Sequence, residues 1–419
     1  MTQRAVLVTP LARAIIVCAL GYFIDVFDIQ LFPVLRAASL TDLGVPAARL
    51  ASVSGDILSI QMFGMVVGAF LWGWLGDRLG RLKALYGSII VYSVGTLACS
   101  LVHDPFTYGA LRFFTGFGLS GETGAAITLI AEMMPREKRG WGIILVAGVG
   151  FLGPVFAVLV AWFFPWRVTY VVAGLLGLAI LILRMRLVEP AMFEKISRSA
   201  ELRGSLRLVF QRHQGWIFAC CVMIGLPFAF SWNLLNFFSL EFGHAVLKEG
   251  EVFDQRLCLL LFYIGTSCGD FLSGAATQLW RSRRKAMNAV YLIGVVAAAF
   301  YLMLGPQIGF TAVELYVIYL AIGIAGGGGW ILFSTIAAEQ FGTNIRATTA
   351  IVVINLVRGF AIPMVFVFQI LRQVMSITNA AALIGLVLYA LAFFALSRLR
   401  ETHGLDLDYV ESISARASK

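Results

Sequence analysis

The stretch Gly73-Trp74-Leu75-Gly76-Asp77-Arg78-Leu79-Gly80-Arg81-Leu82-Lys83 decides how this chain folds. It is a short basic segment between two apolar blocks, 54–75 and 84–102. Each block has about the 20-residue length that carries a helix across the hydrocarbon core of a bilayer. Gly80 permits a tight turn. Asp77 can cap a neighbouring helix or pair with an arginine. Arg78, Arg81 and Lys83 mark the turn as cytoplasmic.

Working outward, the same unit of apolar block and polar turn recurs along the chain. Twelve spans are predicted: 14–36, 54–75, 84–102, 106–133, 141–164, 168–187, 214–240, 256–279, 286–305, 311–337, 347–371 and 377–398. The chain is 60% hydrophobic and 13% charged, too little charge to cover a soluble surface of 419 residues. Backbone groups in a bilayer must satisfy one another, so blocks of this length are helices. The predicted class is therefore an all-α membrane protein, with the bilayer as its surroundings.

The net charge of +9 lies in the loops, which argues against a nucleic-acid partner. With the N-terminus inside, Arg36, Arg49, Arg167, Lys248, Arg256 and Arg372 fall outside, and Arg112 and Arg358 lie within spans. The other 24 of the 32 lysines and arginines are then cytoplasmic, which places both termini in the cytoplasm. Cys18, Cys99, Cys220, Cys221, Cys258 and Cys268 sit in or beside apolar blocks without metal-ligand spacing and read as buried thiols. No metal and no cofactor are expected, and the chain is expected to work as a monomer. The first block is too long for a signal-peptide core and no small-residue cleavage site follows it, so it is read as a retained span.

A longer polar stretch at 188–213 divides the chain. The expected organisation is an N-terminal six-helix bundle over 1–187, a cytoplasmic linker over 188–213, a C-terminal six-helix bundle over 214–400 and a cytoplasmic tail over 401–419. The halves repeat each other. Ala131-Glu132 is followed after six residues by Arg139-Gly140, and Ala338-Glu339 after six residues by Arg346-Ala347, an offset of 207 positions. Gly150-Phe151-Leu152-Gly153-Pro154 likewise matches Gly359-Phe360-Ala361-Ile362-Pro363. Parallel halves with the substrate between them are the architecture of a rocking transporter.

The stretch 73–83 resembles the loop signature of the major facilitator superfamily: Gly, three residues, Asp, Arg, one residue, Gly, then basic residues. Leu82 stands where that signature has a second basic residue. The resemblance implies two pseudo-symmetric six-helix bundles. It also implies a conformational latch on the inner side, formed by Gly73, Asp77, Arg78, Gly80 and Arg81 with Glu132, Arg139, Glu339 and Arg346. A plain positive-inside turn is the simpler alternative. The second-half counterpart, Gly274 to Lys285, has Gln278 where Asp77 stands and so lacks the acid of that latch. Span four, from Arg112-Phe113-Phe114-Thr115-Gly116 to Ser120-Gly121-Glu122, resembles the branch holding sugar porters and metabolite:proton symporters. Span one, Gly21-Tyr22-Phe23-Ile24-Asp25-Val26-Phe27-Asp28, is similar to the first helix of metabolite:proton and aromatic-acid:proton symporters.

Ionisable residues inside spans are costly and usually functional. Asp25 and Asp28, at i and i+3, share a helix face. Two carboxylates in low dielectric do not readily ionise together, so the pair is a candidate proton carrier with Arg112 as partner and Glu122 as a further member. A purely structural contact between spans one and four is the alternative. Asp270 and Arg358 could pair with each other, or Arg358 could bind an anionic substrate. Arg112, Arg358, Asn233, Asn236, Trp330 and Ser334 are the candidate substrate residues, with packing the competing role for each uncharged one.

The function expected is secondary active transport: proton-coupled uptake of a small anionic metabolite, an organic acid, by alternating access in a bacterial inner membrane. The alternatives are a proton-driven antiporter that exports a drug-like compound or siderophore, and an importer of a polycarboxylate siderophore. His103, His213, His244 and His403 are dispersed, no Ser-His-Asp arrangement occurs, and the glycine run Gly326–Gly329 lacks the Lys-Ser or Lys-Thr of a phosphate loop. An enzyme is therefore not expected.

Overall fold

The structure is a computed structural model and describes residues 10–79, 81–121, 148–187, 212–342 and 346–404. Helices dominate these residues, and no strand occurs among them. A single isolated bridge joins Leu247 to Phe310. Eight helices are long and apolar enough to cross a membrane: Ala47–Trp72, Trp166–Leu183, Gln214–Asn236, Gln255–Trp280, Arg283–Ile308, Ala312–Glu339, Ile351–Leu371 and Ile377–Arg398. Pro10–Asp42, Arg81–Cys99, Pro105–Leu119 and Leu152–Phe163 occupy spans one, three, four and five. Large apolar side chains stand exposed on the helix exteriors, Val296, Phe366 and Leu386 among them, as a lipid-facing surface requires.

Spans two and four approach through glycines. A Cβ on Gly64 would lie 2.2 Å from the carbonyl oxygen of Phe113, and one on Gly116 would lie 2.2 Å from that of Gln61. Spans eight and ten repeat the device: a Cβ on Gly265 would meet Leu320 O at 2.4 Å, and one on Gly323 would meet Phe262 O at 2.2 Å. Lipid tails give helices no hydrophobic reason to associate, so close backbone packing has to supply the attraction.

The repeat detected as Gly-Phe-x-x-Pro is also a structural repeat. Helix is interrupted at Phe151 before Leu152–Phe163 and at Phe360 before Ala361–Leu371. Pro154 and Pro363 each remove the N–H that would bond the glycine carbonyl four residues earlier.

Spans one, seven, nine and ten also differ in detail, span nine by a π-helical turn at Phe300–Leu304. Span one, expected to end at Arg36, continues as helix to Asp42 because Arg36 is itself buried and neutralised. Span seven is jointed: Arg212–Met223, Leu226–Phe230, a π-helical turn at Ser231–Asn236, then Ser239–Val246. Span ten runs Ala312–Ile322, turns π-helical over Gly323–Gly327, breaks at Gly328 and Gly329, and resumes at Trp330–Glu339.

Candidate functional site

Span one carries the polar centre of the first half. Asp28 and Arg112 are both buried, and Arg112 Nη1 donates to Asp28 Oδ1 at 3.4 Å. Arg112 also donates to the Asp28 backbone oxygen at 3.3 Å and to Gln61 Oε1 at 3.2 Å, with its guanidinium 5.9 Å from the Tyr170 ring centre. Thr96 donates to the second oxygen of Asp28 at 2.6 Å. The Asp28–Arg112 pair thus ties together spans one, two, three, four and six. A buried ion pair is tolerable only when its remaining donors and acceptors are met in this way.

One turn nearer the predicted cytoplasmic side, the face that Asp25 shares meets the second half. Tyr22 lies close to Trp330, with Arg358, Asp25 and Asp270 in its surroundings. The Arg358 guanidinium stands 5.5 Å from the Trp330 ring centre. Tyr22 packs edge-on against Phe151 at 5.9 Å, Phe151 lies 5.9 Å from Trp232, and Trp232 lies 5.6 Å from Tyr263. Tyr22, Asp25 and Phe151 come from the first half of the chain, the others from the second. Together they form an aromatic wall with a cation on it, drawn from spans one, five, seven, eight, ten and eleven.

Other predicted residues take distinct places. Asn236 is buried and donates to the Tyr263 hydroxyl at 3.2 Å, whereas Asn233 is half-buried. Ser334 donates to Trp330 O at 2.7 Å, which uses its proton within its own helix. Asp270 caps the break in span ten: its Oδ1 accepts the N–H of Ile331 at 3.2 Å, at the start of the resumed half-helix. Gly80, Glu122, Glu132 and Arg139 lie outside the described residues. Gly73, Asp77, Arg78, Arg81 and Arg346 are helical in backbone, and the side chains of the last four lie outside the description.

The inner end of the second half holds a charged cluster despite Gln278. Arg283 makes a two-pronged pair with Glu339, at 2.5 and 2.7 Å, and Thr402 donates to the same carboxylate at 2.7 Å. Beside it, burial alone would raise the Glu401 carboxyl. Hydrogen bonds from Ser282 and from the backbone N–H groups of Arg283, His403 and Arg284 outweigh burial and hold it down to about 2. Glu339, the counterpart of Glu132 in the internal repeat, thus pairs with the arginine that follows Gln278 in the second-half loop.

The residue missed in the sequence is Arg36. At the end the charge distribution places outside, Arg36 is fully buried and grips Glu241 through both nitrogens at 2.8 and 2.6 Å. Phe237 and Phe238 flank its guanidinium at 4.8 and 5.6 Å. Ser54 adds a bond at 3.4 Å, and Gln369 donates across to Ala51 O at 3.2 Å. The halves are therefore sealed to one another at this end. A signal was available: Arg36 and Glu241 end the first span of each half, 205 positions apart, with opposite charges.

Comparison with known proteins places this geometry. The model of the Major Facilitator Superfamily matches residues 18–366. The chain is 25% identical to the niacin transporter NiaP of Acinetobacter baylyi, covering 94% of this chain and 95% of that one. It is 26% identical to the gentisate transporter of Corynebacterium glutamicum, covering 80% and 76%, and 25% identical to the cis,cis-muconate transport protein of Acinetobacter baylyi, covering 72% and 74%. A twelve-span helical chain with a polar centre, an aromatic wall between its halves and this match over most of its length belongs to the Major Facilitator Superfamily, and it is a transporter rather than an enzyme.

Proposed function

We propose that this transporter takes up a small aromatic or similarly flat, unsaturated carboxylate together with protons, as a monomer in a bacterial inner membrane. The observation that carries the reading is Arg358 on the aromatic wall. A flat anion needs a cation for its carboxylate and ring faces for its body, and Trp330, Tyr22, Phe151 and Trp232 supply the faces. The relatives named for niacin, gentisate and cis,cis-muconate point to the same class. Arg358 is assigned to the substrate and Arg112 to the Asp28 lock, because Arg112 is enclosed within the first half by Asp28, Gln61 and Tyr170.

Asp25 and Asp28 are the proton carriers in this reading, with Glu122 as a further member. An anion arriving beside Arg358 and Tyr22 favours a bound proton on the neighbouring carboxylates, and by reciprocity the proton favours the anion. Co-transport follows if both leave on the same side. The residues of the first-half loop, with Glu132 and Arg139, form the inner latch of the outward-facing state, and Glu339 with Arg346 and Arg283 form its second-half equivalent.

Arg358→Ala is expected to raise KM for benzoate uptake into proteoliposomes by about 100-fold, the scale of a lost charge-assisted pair. Arg358→Lys should recover only part of that, since an ammonium cannot present a planar fork. An unchanged KM in both variants contradicts the assignment.

In the proposed topology both termini and the 188–213 linker are cytoplasmic. Reporter fusions after Arg139 and Lys285 should report cytoplasm, and one at Lys248 the outside. A cytoplasmic signal at Lys248 contradicts the span count.

A further inference from the structure

Resting on the reading of an aromatic-carboxylate transporter, we infer that Trp232 and Asn236 form a second subsite that reads a hydroxyl group on the substrate ring. The two residues occupy the π-helical turn Ser231–Asn236 of span seven. Such a turn inserts an extra residue into the helix and is frequent at functional sites. It brings positions four apart close to one face, and both side chains meet Tyr263. The Trp232 ring lies 5.6 Å from that of Tyr263, and Asn236 Nδ2 lies 3.2 Å from its hydroxyl.

Two polar atoms of this turn are left over. Trp232 is 9% exposed and Asn236 0%, yet among the described residues neither Trp232 Nε1 nor Asn236 Oδ1 has a hydrogen-bond partner. Leaving a buried donor or acceptor unmet costs about 1–3 kcal/mol each, so a protein keeps two together only where something else meets them. The orientation of Asn236 follows from its neighbours. Tyr263 donates to Gln30 Oε1 at 3.0 Å, so its oxygen is free to accept from Asn236 Nδ2. That leaves the Asn236 carbonyl oxygen, an acceptor, unmet on the same turn as the unmet indole N–H of Trp232, a donor.

A donor and an acceptor together match a group that accepts and donates at once, which is the chemistry of a phenolic hydroxyl. An unsubstituted ring leaves both unmet. A site built to bond a hydroxyl penalises the analogue without it far more than an apolar pocket distinguishes two sizes. The location fits: Trp232 continues the aromatic wall through Phe151 and Tyr22 to Trp330 and Arg358.

The test is competitive uptake by proteoliposomes of labelled benzoate and 2-, 3- and 4-hydroxybenzoate, by the native protein, Trp232→Phe and Asn236→Ala. The readout is the ratio of KM for benzoate to KM for the best hydroxybenzoate. The native ratio should be at least about 10, and each variant should bring it to near 1. Trp232→Phe keeps a ring and removes the N–H, so a change in the ratio reports the hydrogen bond rather than the packing. Where a variant no longer transports, equilibrium binding to the purified protein reads the same ratio. A native ratio near 1, or a ratio unmoved in both variants, overturns the subsite and leaves the proposed function standing. Failure of the native protein to transport any of the four acids overturns both.

Discussion

Arg112→Ala is expected to abolish gradient-driven uptake and to lower the yield of folded protein. Its guanidinium pairs with Asp28 and also holds Gln61 and a backbone carbonyl of span one. Removing one partner of a buried pair strands the other, at a cost of about 3–5 kcal/mol. Asp28→Asn should be milder in folding, because Thr96 and Arg112 can still bond an amide of the same shape. It should abolish accumulation driven by a pH gradient while leaving part of substrate counterflow, since exchange needs no net proton movement. Asp25→Asn should do the same less completely. Counterflow and gradient-driven uptake measured in the same vesicles separate the two effects. Equal accumulation by Arg112→Ala and the native protein contradicts the account of the lock.

The second large effect is expected further along span one, towards its C-terminal end. The Arg36–Glu241 pair joins the two halves of the chain, so it must part whenever the halves separate there. Glu241→Gln keeps the shape and removes the charge, and leaves Arg36 buried between Phe237 and Phe238. The closed arrangement should lose about 3 kcal/mol relative to the open one, roughly a hundredfold in their ratio. A cysteine placed at Gln30, which is buried at the Tyr263 contact, should then react at least about 10-fold faster with an impermeant maleimide added outside. The exchange of both residues, Arg36→Glu with Glu241→Arg, should slow the reaction again. An unchanged rate in Glu241→Gln contradicts the gate.

Much of the fold was legible because a bilayer imposes a simple rule on composition. Apolar blocks of spanning length and the paired Gly-Phe-x-x-Pro motifs correspond to helices and to the two interruptions at Phe151 and Phe360. The Asp28–Arg112 pair was legible too, since both residues lie deep in spans and neither could stay there alone. Arg36 was not, because a cation at the edge of an apolar block reads as the start of the loop. Only the position of Glu241, in another helix 205 residues away, makes that charge tolerable inside. The joints of spans seven and ten were hidden for another reason. A π turn leaves no composition mark at Ser231–Asn236, and the run Gly326–Gly329 shows that a helix can break there without showing what caps it. The cap proved to be Asp270, reaching over from span eight to Ile331.

The central claim is proton-coupled uptake of an aromatic carboxylate, and one measurement meets it most directly. Purified protein is reconstituted in vesicles with an alkaline interior, and labelled 4-hydroxybenzoate is supplied outside with and without a protonophore. The account predicts that the internal concentration of label rises above the external one well beyond what protein-free vesicles reach, and that the protonophore collapses this accumulation to equilibration. Uptake that only equilibrates, with a rate and extent indifferent to the gradient, contradicts it.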